Sequence, residues 1–221
     1  MTAAEFKKKW ARYLTDINAA IVGLDKFQRA SVSAVCAESV SPVIARFGQP
    51  ATLQAFNQGL DAAWKSVRDE AVDSRVLSVR AALDSLPEST CDDSNIPAHD
   101  VMIALGILVC TLDTIIEDDS TRAARSACTG AVNYYSGYDS VLARGMKPRI
   151  IDPRNPPPPG PLELLQIQLQ VRLVEDARML SQSREEVVKQ MRASATRLAS
   201  ELEKALPVYI ERLGWNVRSP S

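Results

Sequence analysis

Apolar residues recur at intervals of three and four along most of the chain, which is the spacing of amphipathic helices. The first stripe runs from Phe6 to Ile21 and ends near Gly23. Thr2 and Glu5 precede it with the spacing of a capping box. A second stripe begins at Phe27 and a third includes the apolar positions Leu53, Phe56, Leu60, Trp64 and Val67. The pattern predicts a succession of helices.

Prolines divide these stripes. Pro42 is expected to break the second helix near Ser41, because proline lacks an amide donor and clashes with the preceding turn. Pro50, Pro97 and Pro161 have the position of first-turn prolines, which open helices. The fourth helix is predicted to end at Pro87 and the last one before Pro207.

The stretch after Pro97 has apolar residues on nearly every side of the helix from Val101 to Ile116, so a central, enclosed helix is predicted. Ser120 is placed to cap the following helix. Ser183 and Glu186 suggest a second capping box before the last helix. No long stretch alternates apolar and polar residues as a strand does. These features predict an all-α fold, a single-domain antiparallel bundle of about eight helices.

The domain is predicted to cover residues 1–221, with a proline-rich connection at 145–160 and a short tail at 214–221. The connection reads GMKPRIIDPRNPPPPG, and proline excludes both helix and central strand there. It is interpreted as a rigid spacer, with a ligand for a proline-binding module as the alternative.

The charges nearly cancel, with 26 Lys and Arg against 27 Asp and Glu. No overall field would gather phosphates or anionic lipid, so neither nucleic acid nor membrane is expected as a partner. The lysines near the N-terminus lack a following apolar run, and Val101 to Cys110 is too short to span a bilayer. A cytoplasmic protein with free, mostly buried cysteines is therefore predicted.

Catalytic chemistry finds little support in the motifs. His99 is the lone histidine, the four cysteines are scattered, and no phosphate-binding glycine motif occurs. No catalytic residue, metal ligand or cofactor is therefore assigned. Two acidic clusters, Asp92 with Asp93 and Glu117 to Asp119, leave a Mg²⁺-dependent hydrolase as an alternative.

Several short segments resemble the YjaG-like family of bacterial helical proteins, a domain of unknown function. They are AESVSPVIARF, LDAAW, ALDSLPE, HDVMIALGIL and ELLQIQLQVRL, in that order between Ala37 and Leu180. Ser39 stands where the family favours Arg, and the proline-rich insertion is unusually long. The resemblance implies an all-helical fold without established enzymatic activity. By analogy with immunity proteins encoded beside secreted toxins, it also suggests a binding role.

The leading hypothesis is thus a non-catalytic immunity protein that occludes the active site of a cognate toxin. An orphan housekeeping protein of the same fold, as a homodimer, is the alternative. Acidic loops could mimic an anionic substrate, and tyrosines often anchor interfaces. The expected partner-binding residues are Asp92, Asp93, His99, Asp100, Glu117, Asp118, Asp119, Tyr134, Tyr135 and Tyr138.

Overall fold

The computed structural model describes residues 16–94, 96–144, 158–181 and 183–216. These residues form α-helices and two short 3-10 turns, and they contain no strand. The helices are α1 (16–22), α2 (Lys26–Ser39), α3 (Ser41–Phe47), α4 (Pro50–Asp69), α5 (Val76–Asp84), α6 (Pro97–Ile116), α7 (Ser120–Arg144), α8 (Pro161–Arg178) and α9 (Arg184–Leu213). The 3-10 turns are Pro87–Thr90 and Met179–Ser181. The predicted all-α helical bundle is confirmed.

Helix α2 lies in the interior, in contact with α3, α4, α6, α7, α8 and α9. Its sequence explains this position, because most of its buried side chains are alanine, serine, valine or cysteine. Small side chains on several faces let neighbouring helices approach from more than one direction. At one such approach the Thr111 hydroxyl of α6 donates a hydrogen bond of 3.0 Å to the main-chain carbonyl of Ser33.

Helix α6 is enclosed as its composition predicts. It packs against α2, α3, α4, α5 and α7, and all of its buried side chains except Asp100 and two threonines are apolar. Among the described helices, α6 alone has the length and mean hydropathy for a membrane crossing, and 56% of its most apolar window is buried inside the bundle. A core helix that touches several others has this same composition.

Most of the prolines have the predicted effects, including Pro87, which follows the end of α5 at Asp84, and one does not. The chain breaks between α2 and α3 beside Pro42, and Pro50, Pro97 and Pro161 each begin a helix. The predicted helix end before Pro207 is wrong, because α9 continues through this proline to Leu213. Leu206 and Tyr209 on either side are both buried, so packing holds the helix together despite the missing amide donor.

The capping predictions are corrected in the same way. Ser183 is the N-cap of α9 but its side chain makes no capping bond. A capping box is present at α2, where the Asp25 carboxylate accepts a hydrogen bond from the Gln28 main-chain amide at 2.8 Å. Ser120 begins α7, and its hydroxyl accepts a hydrogen bond from Arg29. The predicted box at Thr2 and Glu5 lies outside the described residues.

Candidate functional site

An exposed acidic loop, residues 91–94, joins the first 3-10 turn to the region before α6. Asp92 and Asp93 are both exposed, and the Cys91 thiol lies 3.7 Å from the main-chain carbonyl of Asp93. Ile96, at the N-cap of α6, is also exposed. The loop therefore presents carboxylates beside an apolar side chain.

The chain just before the acidic loop is held by a buried carboxylate. Glu88 is 7% exposed, and its Oε1 atom accepts hydrogen bonds from the Thr52 hydroxyl at 2.8 Å and from the Gln49 amide at 3.2 Å. Both donors belong to the start of α4. A carboxylate at a helix N-terminus satisfies free amides and is favoured by the helix dipole. Glu88 thereby attaches the 3-10 turn to α4.

A second buried carboxylate holds the chain just after the loop. Asp100 is 6% exposed and lies in the first turn of α6. Its Oδ2 atom accepts from the Tyr138 hydroxyl at 3.2 Å, and its Oδ1 atom accepts from the Tyr209 hydroxyl at 3.4 Å. The Tyr134 hydroxyl donates to Tyr138 at 3.1 Å. Asp100 thus connects α6 with α7 and α9.

The aromatic rings of this cluster also pack against one another. Tyr138 and Tyr209 are stacked with 3.7 Å between ring centroids and 5° between ring planes. Tyr134 lies against Tyr138 with 5.0 Å between centroids. The start of α6 is therefore set in a rigid environment.

Burial controls the acidity of this cluster. Loss of solvent raises the pKa of Asp100 to about 6, while the hydrogen bonds from Tyr209 and Tyr138 oppose that rise. Burial likewise raises the pKa of Tyr134 and of Tyr138 well above the ordinary phenol value. The phenols remain hydrogen-bond donors, and the carboxyl is the group of this cluster that can titrate near neutral pH.

Four of the expected partner-binding residues lie in the interior of the bundle. Asp100, Tyr134, Tyr135 and Tyr138 are all buried and present little surface to a partner, which does not favour their predicted role as contact residues. Tyr135 packs in the core, where its hydroxyl donates to the Ser39 carbonyl at 2.8 Å. Their physical task is helix packing, because each polar atom is satisfied inside the bundle.

The remaining six expected residues lie at opposite ends of α6. Asp92, Asp93 and the partly exposed His99 lie at its start, whereas Glu117, Asp118 and Asp119 follow its end. A helix of 20 residues is roughly 30 Å long. The two acidic clusters therefore lie about one helix length apart, and the acidic loop is the one taken as the candidate surface.

No group of three or more His, Cys, Asp and Glu side chains in the described ranges is close enough to hold a metal ion. Glu117, in the acidic cluster after α6, instead lies 3.8 Å from the Arg122 guanidinium. The surface cavities beside α7, between α8 and α9, and between α3 and α9 are not lined by Asp100 or its tyrosines. The buried cluster thus lies apart from these cavities.

The four cysteines are free thiols in the structure. Cys36 and Cys128 are buried, and Cys91 and Cys110 are partly exposed. The Nε2 atoms of Gln166 and Gln170 each lie 3.5 Å from the Cys36 sulfur. This polar cluster in the core escaped the sequence analysis. The sequence feature that could have predicted this cluster is the i, i+4 spacing of the two glutamines within the apolar stripe of α8.

A third buried acid, Asp139 of α7, also escaped notice. Its carboxylate accepts from the main-chain amides of Leu162 at 3.3 Å and Glu163 at 2.8 Å, and so caps α8 from a neighbouring helix. Burial raises the pKa of Asp139, and the two amides oppose that rise. No local sequence pattern predicts a cap whose carboxylate is more than twenty residues away in the chain.

Comparison with known proteins adds no relative. The chain matches no protein-family model, no curated protein sequence and no solved structure. The resemblance to the YjaG-like family accordingly stays a prediction, and the functional argument depends on the molecule's own surface.

Proposed function

We propose that this protein is a non-catalytic binding module, an immunity protein that blocks the basic substrate cleft of a toxic effector with its acidic loop. The observation that carries the proposal is that the chain is attached to the bundle on both sides of this loop. Glu88 holds the preceding turn on α4, and Asp100 holds the start of α6. Asp92 and Asp93 between them are exposed.

This attachment favours recognition for an energetic reason. When the chain on both sides of a loop is fixed, the loop loses less conformational entropy on binding a partner. Exposed carboxylates on such a loop attract a basic cleft from a distance and accelerate association. The exposed Ile96 beside them offers apolar surface that a bound partner would cover. A toxin that acts on nucleic acid or nucleotides has a cleft of the required charge.

The test begins with capture from the native host by the tagged full-length chain. The captured protein should arrest growth when it is expressed alone, and co-expression of this chain should restore growth. The informative variant is Asp92→Lys with Asp93→Lys, since Asp100 is buried and cannot be used as a surface probe. Charge pairs at interfaces are worth roughly 1.5 to 7 kcal/mol, so affinity should fall at least about tenfold and association should slow.

The matched control is Asp118→Lys with Asp119→Lys, which makes the same charge change on two exposed residues at the other end of α6. It should leave affinity, association rate and growth protection unchanged. Equal affinity of the Asp92/Asp93 variant and the wild type would contradict the acidic loop as the inhibitory surface. A captured partner without toxicity would contradict the immunity role.

A further inference from the structure

A groove on the side of the bundle has the opposite charge from the acidic loop. It runs between α8 and α9, has a volume of about 430 Å³, and is called the basic groove here. Its apolar lining is Leu165, Leu169 and Leu198, and its charged lining is Arg172, Arg197 and Lys204 with one carboxylate, Glu201. The groove therefore combines an apolar lining with positive charge.

Two of these cations have no carboxylate within ion-pair distance in the described part of the chain. Arg172 Nε donates to the Gln168 carbonyl at 3.4 Å. Arg197 Nε donates to the Ala193 carbonyl at 3.4 Å, and its Nη2 atom donates to the Ser194 hydroxyl at 3.1 Å. Lys204, by contrast, lies 2.6 Å from Glu201. The two guanidinium groups keep donors for an additional acceptor, because each has five.

The helix that forms one wall of the groove also exposes apolar side chains. Leu164, Leu165 and Val171 of α8 are 40%, 39% and 45% exposed. Leu165 lines the groove itself, whereas Leu164 and Val171 share an adjoining side of α8 outside the groove lining. Apolar groups grouped in this way beside a polar rim are typical of a protein interaction site.

We propose that the basic groove binds an acidic amphipathic helix of a partner protein. Two packed helices leave a channel into which a third helix inserts its apolar side chains. The α9 wall from Ser194 to Lys204 is about 15 Å long, which matches roughly three turns of a bound helix. Leucines on that helix would cover the apolar lining, and its Asp or Glu side chains would accept hydrogen bonds from Arg172 and Arg197.

Arginine suits this recognition because its planar group donates two parallel hydrogen bonds to one carboxylate. The leucine lining distinguishes the site from a surface for single-stranded nucleic acid, which uses aromatic side chains to stack bases. The inference does not depend on the proposed immunity role, since it concerns a separate surface and the opposite charge.

The test uses the full chain and a fluorescein-labelled helical peptide of about 18 residues, with leucines at a spacing of three and four and glutamates on the flanks. Two further peptides serve for comparison, one with lysine in place of glutamate and one with serine in place of leucine. Fluorescence anisotropy should show that the acidic peptide binds at least about tenfold more tightly than either.

The decisive variant is Arg172→Glu with Arg197→Glu. It should weaken binding of the acidic peptide at least about tenfold and increase the affinity for the lysine peptide. The matched control, Arg122→Glu with Lys189→Glu, makes the same charge change at two exposed residues outside the groove and should change neither. Leu165→Ser should weaken the binding of the acidic peptide and of the lysine peptide. Circular dichroism and melting temperature check that every variant is folded.

Three outcomes would overturn the inference. The first is equal affinity of the acidic peptide for the groove variant and the control variant. The second is absence of peptide binding together with groove-dependent binding of phosphatidylglycerol vesicles, which would identify a lipid surface as the ligand. The third is a wild-type dimer in sedimentation that the groove variant alone dissociates, which would place a second copy of the chain in the groove.

Discussion

At the scale of single residues, the buried carboxyl of Asp100 has the largest consequence for pH. It accepts hydrogen bonds from two tyrosines, and no lysine or arginine is among the groups that shift its pKa most strongly. His99 also favours the ionised form, but it offsets only part of the cost of burying the carboxylate. The folded protein therefore holds the proton of Asp100 more tightly than the unfolded chain does.

This difference predicts how stability depends on pH. Asp100 has a pKa of about 6 in the folded protein against an ordinary value of 3.8. Below the lower value the carboxyl is protonated in both states. As pH rises to 6 the unfolded chain ionises first, so stability falls. Asp100→Asn abolishes this loss, and its unfolding free energy relative to wild type should rise by roughly 2 kcal/mol between pH 4 and pH 7.

Urea titrations at a series of pH values measure that difference. Asp92→Asn is the control, because it makes the same chemical change at an exposed aspartate in the neighbouring loop. If the difference for Asp100→Asn changed with pH no more than the difference for Asp92→Asn, the Asp100 carboxyl would have its ordinary acidity in the folded protein.

At the scale of elements, the start of α8 depends on another helix. Asp139 of α7 caps its free amides, and Gly160 immediately precedes its first residue. A Cβ atom at position 160 would lie 2.2 to 2.3 Å from atoms of the Asp139 side chain. Glycine is needed at this position because of a close approach, since its φ angle of −73° is open to any residue.

Gly160→Ala should therefore displace the Asp139 carboxylate and cost roughly 1 to 3 kcal/mol of unfolding free energy, which combines the lost cap with the forced shift. Gly106→Ala is the matched control within α6, because an added Cβ there meets no atom within 4 Å. It should be neutral or stabilising by up to about 1 kcal/mol through helix propensity. Equal effects in urea unfolding would argue against the close approach.

At the scale of the whole molecule, α2 is the helix around which the others pack. It contacts six other helices, and the Trp64 indole of α4 donates a hydrogen bond of 2.6 Å to its Glu38 carboxylate. Any helix that left the bundle would uncover apolar surface on α2 or α6. The described helices should therefore unfold as one cooperative unit.

The measurement uses a variant with Trp10→Phe and Trp215→Phe, in which Trp64 is the remaining tryptophan. Its urea midpoints from fluorescence and from circular dichroism should coincide. Val35→Ala on α2 removes buried methyl groups and should lower both midpoints together, with a cost of roughly 1 to 3 kcal/mol. A shift in one midpoint without the other would show that α4 unfolds separately from the remaining helices.

Much of the helical order could be predicted from the chain itself. Apolar periodicity and first-turn prolines are local signals, because a helix is built from contacts between residues three and four apart. The starts at Pro50, Pro97 and Pro161 and the enclosed character of α6 were predicted in this way. Pro207 shows the limit, since packing of Leu206 and Tyr209 outweighs a local helix breaker.

Only the tertiary structure decided which polar residues are surface and which are interior. Asp92 and Asp100 look alike in the sequence, yet one is exposed and the other is buried beneath tyrosines from α7 and α9. The sequence also does not reveal the caps from Glu88 and Asp139. Nor does it reveal that the length of α6 separates the two acidic clusters. Burial is a sum over neighbours distant in the chain, and a local pattern carries no information about which helices those neighbours come from.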